Sequence, residues 1–408
     1  MKVKYYVNIN SDTFFVKMKI KPALKYFLIA FFLLSTYSCK RLTSSRSENA
    51  DVPLIRLSDC TGEVSITDIL DTSCVSFVTY DTIMMIGASF DITDNLILFY
   101  SPEGYIVGDH NGKILNSIGH IGRGPHEYFI DDSKVCFNGD DEVVLFNYNS
   151  NPKLDIFSTS GEWKRDVILD LKVPRISTLM YYTIACMNGY FIMCFYSNGT
   201  ELEGYPFWLC FDMSSGKQVF SRPSNVKGDY YSTASYSGIQ RLSESISYMR
   251  VFNDTLFSIN EQGAIPKYII DPGNKRPTKE MLSSKSEQEK PSDIFCSMQL
   301  METEKWLIFY RKKDETSYCY NKQTGVLSKL AFLDEWWNYL LTPYLTGTYA
   351  THQFSCFSNS GTEYIYFGCF PYRLTEELSG INSGYIKKRV SEIEKGDASL
   401  VLIKVNLK

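Results

Sequence analysis

The chain has 408 residues, of which 15% are aromatic, including 29 tyrosines and 26 phenylalanines. This enrichment favours β-strands, and the length accommodates one large all-β domain or two ordinary ones. Residues 1–38 contain six lysines and one aspartate, so the chain from residue 39 onward has 36 basic and 45 acidic residues, a net charge of −9. Such a charge repels phosphate backbones and argues against nucleic acid as a partner.

Residues 1–38 predict an export signal. Four lysines precede an apolar run over residues 26–34, which is too short for a membrane-spanning helix of about 20 residues. Ser35-Thr36-Tyr37-Ser38-Cys39 then resembles a lipobox, in which the cysteine receives a diacylglyceryl group. Thr36 and Tyr37 depart from the usual lipobox pattern, so an uncleaved or differently cut signal peptide is the alternative. Met18 is the more natural signal start, which makes residues 1–17 a candidate start-site artefact.

Residues 39–54 predict a lipidated cysteine and a polar tether, because they contain too few apolar side chains to bury a core. The lipid would be the only link to the membrane. Acidic residues directly after Cys39 would indicate export to the cell surface, but the basic pair Lys40-Arg41 stands at that position. An outer-membrane location is expected, and the choice between the periplasmic and the surface face stays open.

Residues 55–408 alternate strand-like runs with glycine turns, as in Asp109-His110-Asn111-Gly112. The turn glycines lie at 112, 161, 216, 263, 325 and 361, with spacings of 49, 55, 47, 62 and 36 residues. A period near fifty predicts four-stranded propeller blades, with a pair of β-sandwiches as the alternative. The final strand, Leu400–Val405, is expected to pair with a strand from Val64–Tyr80 and close the ring.

Three segments carry a family resemblance. Ile118–Tyr128 has three glycines, a proline and a Glu-Tyr pair, Phe252–Ile259 contains Asn-Asp-Thr, and Gly396–Leu402 is similar to a closing strand. Together they resemble the six-bladed β-propeller lipoproteins of Bacteroidota, an NHL-like and mostly uncharacterised family. The resemblance covers most of residues 55–408. It implies an all-β fold of six four-stranded antiparallel blades and export to the cell envelope, but almost no chemistry.

The bend at residues 118–128 is interpreted as a structural motif. Glycines 122 and 124 permit positive φ, Pro125 fixes its own φ, and the Glu127 carboxylate can accept backbone N–H groups. The alternative is a ligand-contacting loop that uses Arg123 and His126. A structural role is likewise expected for Asp254 and Thr255, whose side chains can bond to nearby backbone at a strand start. The motif residues are Gly122, Gly124, Pro125, Glu127, Tyr128, Asp254 and Thr255.

Trp336 and Trp337 are the ligand-binding candidates, together with Glu335 and Asn338. Adjacent strand residues point to opposite faces, so both tryptophans cannot lie in one core. In a loop, flat aromatic rings beside polar groups suit the stacking and hydroxyl bonding of sugars. The alternative is that one ring packs under the rim and the other is half covered.

No catalytic residue, cofactor or metal site is assigned. The chain has no Cys-x-x-Cys, and its four histidines lack metal-ligand spacing to any cysteine pair. One or two disulfides are compatible with export, without identifiable partners. The sequence therefore predicts a binding or scaffolding module for a glycan, a peptide or an envelope protein. The alternative is a polysaccharide hydrolase or lyase on the same scaffold, because fold does not choose between them.

Overall fold

The computed structural model describes residues 52–80, 91–101, 103–122, 124, 126–128, 133–147, 152–171, 182–195, 206–223, 238–242, 245–249, 255–260, 263–271, 300–311, 316–331, 353–359, 362–369, 388, 391, 393 and 400–408. The chain divides at Asp51, and all of these residues belong to the unit Val52–Lys408. The predicted signal peptide and Cys39 lie outside the described residues.

Three strands and two short helical turns precede the first blade: β1 (Leu54–Arg56), a 3-10 turn (Leu57–Asp59), β2 (Glu63–Ser65), α1 (Ile66–Ile69) and β3 (Leu70–Tyr80). Blade 1 contains β4 (Asp91–Ile92), β5 (Leu96–Ser101), β6 (Gly104–Asp109) and β7 (Ile114–Ile118). A small parallel pair follows, β8 (His120–Ile121) and β9 (Glu127–Tyr128). Blade 2 contains β10 (Ser133–Asn138), β11 (Glu142–Asn147), β12 (Lys153–Ser158) and β13 (Trp163–Ile168).

Blade 3 contains β14 (Tyr182–Met187), β15 (Tyr190–Phe195), β16 (Pro206–Asp212) and β17 (Gln218–Pro223). Blade 4 contains β18 (Gly238–Arg241), β19 (Ile246–Met249), β20 (Thr255–Asn260) and β21 (Gly263–Asp271). Blade 5 contains β22 (Leu300–Glu302), β23 (Trp306–Arg311), β24 (Thr316–Asn321) and β25 (Leu327–Ala331). Blade 6 contains β26 (Gln353–Asn359), β27 (Thr362–Cys369), β28 (Leu400–Leu407) and the N-terminal β3. The expected propeller of six four-stranded antiparallel blades is confirmed, and the β-sandwich alternative is wrong.

The ring closes through the two ends of the domain. Strand β3 is the outer strand of blade 6 and pairs antiparallel with β28, from Tyr80 opposite Leu400 to Leu70 opposite Leu407. The expected pairing of the last strand with Val64–Tyr80 is therefore confirmed. Blade 6 is therefore built from both ends of the domain, and this pairing closes the ring.

The N-terminal segment also extends two other blades, which the sequence did not predict. Strand β1 adds a parallel fifth strand to blade 4, with Leu54 opposite Ile269. Strand β2 does the same for blade 5, with Glu63 opposite Lys329. Because β3 completes blade 6, residues 54–80 form an outer strap across the edges of blades 4, 5 and 6.

Stacking between blades accounts for the continuous apolar runs in the sequence. On β11, Val143 and Leu145 pack in the cluster shared with blade 1, whereas Val144 and Phe146 pack in the cluster shared with blade 3. All four side chains are at most 1% exposed. A strand in the middle of a blade is therefore buried on both faces, as expected where each sheet is covered on both sides.

The repeated turn glycines occupy one structural position in five blades. Residues 112, 161, 216 and 325 lie between the third and fourth strands of a blade, and residue 263 begins the fourth strand of blade 4; each has positive φ. A Cβ on Gly161 would lie 2.6 Å from the carbonyl oxygen of Ser117, and one on Gly112 or Gly216 would overlap the carbonyl of Thr79 or Ile168. The turns of blades 1 to 3 thus pack directly on the preceding blade. The sixth repeat, at Ser360-Gly361, lies outside the described residues, between β26 and β27.

Candidate functional site

The bend between blades 1 and 2 is held together by its own polar groups. Gly122 N donates to Tyr128 O at 3.1 Å, Glu127 N donates to Gly124 O at 3.2 Å, and the Glu127 carboxylate accepts from Gly124 N. A Cβ on Gly124 would lie 2.9 Å from the Glu127 carboxyl carbon, and one on Gly122 would overlap a carboxylate oxygen. The two glycines therefore make room for the Glu127 side chain.

Positive φ occurs elsewhere in the bend, at Gly119 with φ 60° and at His126 with φ 64°, and not at Gly122 or Gly124. Gly122 and Gly124 therefore do not use the positive φ that glycine permits, and they allow the close approach of the Glu127 carboxylate instead. The sequence signal was ambiguous, because glycine serves both for backbone freedom and for close approach.

Tyr128 anchors the bend in blade 1. Its side chain is 1% exposed, and its hydroxyl accepts a hydrogen bond from Tyr105 N at 2.9 Å. A Cβ on Gly104 would overlap the same hydroxyl, so a glycine outside the motif makes the site for the ring. Burial raises the pKa of Tyr128, which keeps the phenol neutral. Sequence reasoning missed Gly104, and its place in a tight hairpin was the available signal.

Of the other predicted site residues, the structure describes only Thr255. Thr255 begins β20 and lies opposite Ile269. The remaining residues, Pro125, Asp254, Glu335, Trp336, Trp337, Asn338 and Cys39, lie outside the described residues. The structure therefore describes the predicted residues of the bend, whereas the tryptophan pair lies outside the described residues.

A second polar cluster lies at the ring axis, and we call Asp91, Phe137 and Arg241 the axial bridge. One Arg241 terminal nitrogen donates to Asp91 Oδ2 at 3.0 Å and to Phe137 O at 2.7 Å. Phe137 N also donates to Asp91 Oδ2, at 2.8 Å. These residues lie on β4, β10 and β18, the first strands of blades 1, 2 and 4. Blades 1 and 4 are opposite in a ring of six, so the bridge crosses the axis.

Strand β18 connects the whole ring. It lies against the first strands of blades 3, 5 and 6, and Arg241 extends it to blades 1 and 2. Burial alone would lower the pKa of Arg241, but the nearby Asp91 carboxylate raises that pKa above its usual value. The guanidinium therefore stays charged in the folded protein.

The axial bridge limits the chemistry available at this position. Asp91 accepts hydrogen bonds from Arg241 and from backbone, so its carboxylate is committed to the fold. Hydrolysis of a glycoside needs two carboxyl groups at a set separation across a cleft. In the part of the chain that the structure describes, no three His, Cys, Asp or Glu side chains are arranged to hold a metal ion. The bridge is a rigid connector with one fixed charge pair.

The family of the chain follows from a match to residues 59–368. The matching family model is "Domain of unknown function (DUF4934)", and it covers blades 1 to 5 and part of blade 6. The chain belongs to this family. No curated protein is significantly similar to it. The DUF4934 assignment agrees with the propeller resemblance but carries no activity.

Among three similar solved structures, all at low identity, the one with a TM-score above 0.5 shares the fold of this DUF4934 member. BF0058, a candidate exported protein of Bacteroides fragilis NCTC 9343, has a TM-score of 0.58 and 14% identity, covering 87% of this chain and 99% of that one. PorZ, a surface component of the type-IX secretion system of Porphyromonas gingivalis, has a TM-score of 0.35 and 9% identity, covering 71% and 36%. A subtype N11 neuraminidase-like protein of A/flat-faced bat/Peru/033/2010 (H18N11) has a TM-score of 0.40 and 10% identity, covering 81% and 89%.

None of the helices within the described ranges has the length and apolar character that a membrane crossing requires.

Proposed function

We propose that this chain is an exported, lipid-anchored binding or scaffolding module of the cell envelope. The axial bridge is the observation that carries the proposal. Arg241 fixes blade 4 to blades 1 and 2 with hydrogen bonds of 2.7 and 3.0 Å, so the ring is a rigid platform and its axial carboxylate is already paired. Ligand contacts then fall to the loops that connect the blades, as in other rigid scaffolds.

The proposed ligand is a glycan that stacks on Trp336 and Trp337. Paired indole rings supply large apolar faces, and Glu335 and Asn338 supply hydrogen-bond partners for hydroxyl groups. A peptide or an envelope protein is the other ligand class for a propeller face. Nucleic acid is disfavoured, because the chain from residue 39 onward has 36 basic and 45 acidic residues.

The proposed anchor is a diacylglyceryl group on Cys39, followed by the polar tether of residues 39–54. Two observations support it. The first strand of the propeller begins at Leu54, where this polar stretch ends, and the fold is shared with the candidate exported protein BF0058. The tether would hold the ring at the outer membrane, with the lipid as its only link to the bilayer.

Glycan and peptide arrays probed with the detergent-extracted full chain test the ligand class. The Trp336→Ala/Trp337→Ala double variant should lose glycan binding by at least tenfold, since stacked aromatic rings carry much of the affinity for sugars. Trp163→Ala is the control, because Trp163 is a 42% exposed tryptophan on the outer strand of blade 2, outside the proposed platform. Retention of glycan binding by the double variant would contradict the proposed platform.

Metabolic labelling with a radioactive fatty acid tests the anchor. The wild-type chain should incorporate the label and fractionate with membranes, whereas Cys39→Ala should do neither. Cys60→Ala is the control, since Cys60 is a free thiol in the described part of the propeller. Label in Cys39→Ala, or no label in the wild-type chain, would contradict lipid anchoring.

A further inference from the structure

Two free cysteines meet where blades 2 and 3 approach the ring axis. Cys136 lies on β10 and Cys186 on β14, the first strands of these blades. Their sulfur atoms are 3.2 Å apart, and each residue is 2% exposed. Fifty residues of sequence separate them, so this proximity is created only by the folded ring.

The surroundings of the pair are apolar apart from the axial bridge. Both cysteines belong to the core cluster that also contains Val144, Phe146 and Phe191. Cys136 directly precedes Phe137 of the axial bridge, and the Arg241 charge acts on both thiols. Burial raises the pKa of Cys136, with the neighbouring Cys186 adding to the rise. The folded protein thus holds two close thiols next to a fixed cation.

We propose that Cys136 and Cys186 form a disulfide that joins the first strands of blades 2 and 3 when the chain folds in an oxidising environment. Sulfur atoms 3.2 Å apart need only a small approach to reach the bond length of about 2.05 Å. Thiolate is the attacking species, and thiolates form more readily before burial is complete. The bond therefore forms during folding and is shielded afterwards.

The reaction balances with a low-molecular-weight disulfide such as oxidised glutathione. The thiolate of one cysteine attacks the glutathione disulfide, forms a mixed disulfide and releases one glutathione thiolate. The thiolate of the other cysteine then attacks the mixed disulfide at the protein sulfur and releases the second glutathione. Two protons and two electrons pass from the cysteine pair to the oxidant, and the two glutathione thiols carry them away.

Cys194 and Cys210 provide an internal comparison. They lie on neighbouring strands of blade 3 and are both fully buried, but Cys194 is opposite Trp208 and Cys210 is opposite Ile192. Such a diagonal arrangement separates Cα atoms by about 7–8 Å, beyond the usual span of a disulfide. Two cysteines on neighbouring strands of one sheet are therefore not necessarily close enough to form a disulfide. Of these four cysteines, only Cys136 and Cys186 have sulfur atoms close enough to bond.

The test is refolding of the full chain in glutathione buffers that range from fully reduced to fully oxidised. After acid quenching, peptide mapping should show one linked pair, Cys136 with Cys186, in oxidising buffer. The oxidised protein should melt about 5 °C above the reduced protein, because the bond closes a long loop. Cys136→Ala and Cys186→Ala should each abolish the link and the shift, and Cys194→Ala should keep both.

A map without the Cys136–Cys186 link under the most oxidising buffer would overturn the proposal, as would a dominant link between other cysteines. This readout uses the wild-type chain, so it does not depend on whether the alanine variants fold. Loss of the melting shift in Cys194→Ala but not in Cys136→Ala would also overturn the assignment.

Discussion

Gly112, Gly161 and Gly216 press against the preceding blade, whereas Gly263 and Gly325 do not, although all five occupy the same hairpin position. Among the described residues, a Cβ on Gly263 would meet no atom within 4 Å, and one on Gly325 would meet only Tyr320 of its own hairpin, at 3.7 Å. Blades 4 and 5 are the ones extended by β1 and β2. The same turn glycine therefore occurs both where the turn packs on the preceding blade and where it does not.

The junction between blades 4 and 5 depends on charge instead of turn contact. Glu302 is fully buried and bonds to Lys322 Nζ at 2.5 Å and to Lys267 Nζ at 2.6 Å. It also accepts a hydrogen bond from Ser247. Ser247 and Lys267 lie in blade 4, and Glu302 lies in blade 5. Neighbouring blades of one ring are thus joined in two ways: by packing of turn backbone in blades 1 to 3, and by a buried ionic network between blades 4 and 5.

Removal of the buried charge should have the largest effect. Glu302→Gln leaves Lys322, which is 10% exposed, without its carboxylate partner, so the free energy of unfolding should fall by about 3–5 kcal/mol. Urea denaturation measures the loss. Glu142→Gln in blade 2 is the control: its carboxylate is 20% exposed and lies 3.4 Å from Lys164, and it should lose at most about 1 kcal/mol. Equal losses of unfolding free energy in Glu302→Gln and Glu142→Gln would contradict a special role for the buried charge.

The same junction has a defined pH dependence. Burial would raise the pKa of Glu302, but Lys322 and Lys267 lower it below its usual value of 4.5. A carboxyl with a lowered folded-state pKa stabilises fully above its unfolded pKa and loses that contribution as pH falls through the folded value. The difference in stability between wild type and Glu302→Gln should therefore be constant above about pH 5 and should shrink in stronger acid.

Turn contact is tested by matched alanine substitutions. Gly216→Ala should cost about 2–4 kcal/mol, because φ of 69° is strained for alanine and the new Cβ overlaps Ile168 O. Gly325→Ala has φ of 71°, and its new Cβ would approach no atom of the described residues closer than 3.7 Å, so it should cost only the backbone strain of about 1–2 kcal/mol. Thermal and urea unfolding compare the pair. A loss for Gly325→Ala as large as for Gly216→Ala would contradict the assignment.

The smallest effect is expected at the junction of blades 6 and 1. His110 Nδ1 lies 2.7 Å from the Tyr366 hydroxyl, and His110 Nε2 lies 3.0 Å from Thr93 O. A neutral ring that donates from Nε2 and accepts at Nδ1 satisfies both bonds. Burial lowers the pKa of His110 from 6.5, so its contribution is complete above that pH and is lost as pH falls towards the folded-state pKa.

His110→Gln should therefore lower stability by about 1 kcal/mol at pH 8 and flatten the decrease in stability between pH 7 and pH 5. Urea denaturation at several pH values measures both. The exposed His120 lies in the small parallel pair between blades 1 and 2, and His120→Gln should keep the wild-type profile. If the decrease in stability between pH 7 and pH 5 persists unchanged in His110→Gln, another titrating group causes it.

The sequence predicts what depends on local chemistry. Asn111-Gly112 specifies a hairpin, and the pairing of the last strand with Val64–Tyr80 follows from the need to close a ring. In the bend, Glu127 likewise bonds to Gly124, which is only three residues away in the sequence. In all these cases, turn chemistry or a closure requirement restricts the outcome.

Long-range pairing limits what sequence alone can predict. Arg241 and Asp91 are 150 residues apart, and Ser247 and Glu302 are 55 apart, so no local pattern distinguishes these residues from surface charges. Strands β1 and β2 are three residues each, too short to show the alternation that identifies a strand. Their pairing depends on edges that exist only after blades 4 and 5 have formed.

We propose that the ring binds its ligand without transforming it. The most direct measurement mixes the full chain with the glycan that binds best, determines stoichiometry by calorimetry, and analyses the recovered glycan by mass spectrometry after prolonged incubation. The account predicts saturable binding and a glycan of unchanged mass, with binding lost in Trp336→Ala/Trp337→Ala. A shortened or unsaturated glycan that depends on the protein would contradict the account and identify a hydrolase or a lyase.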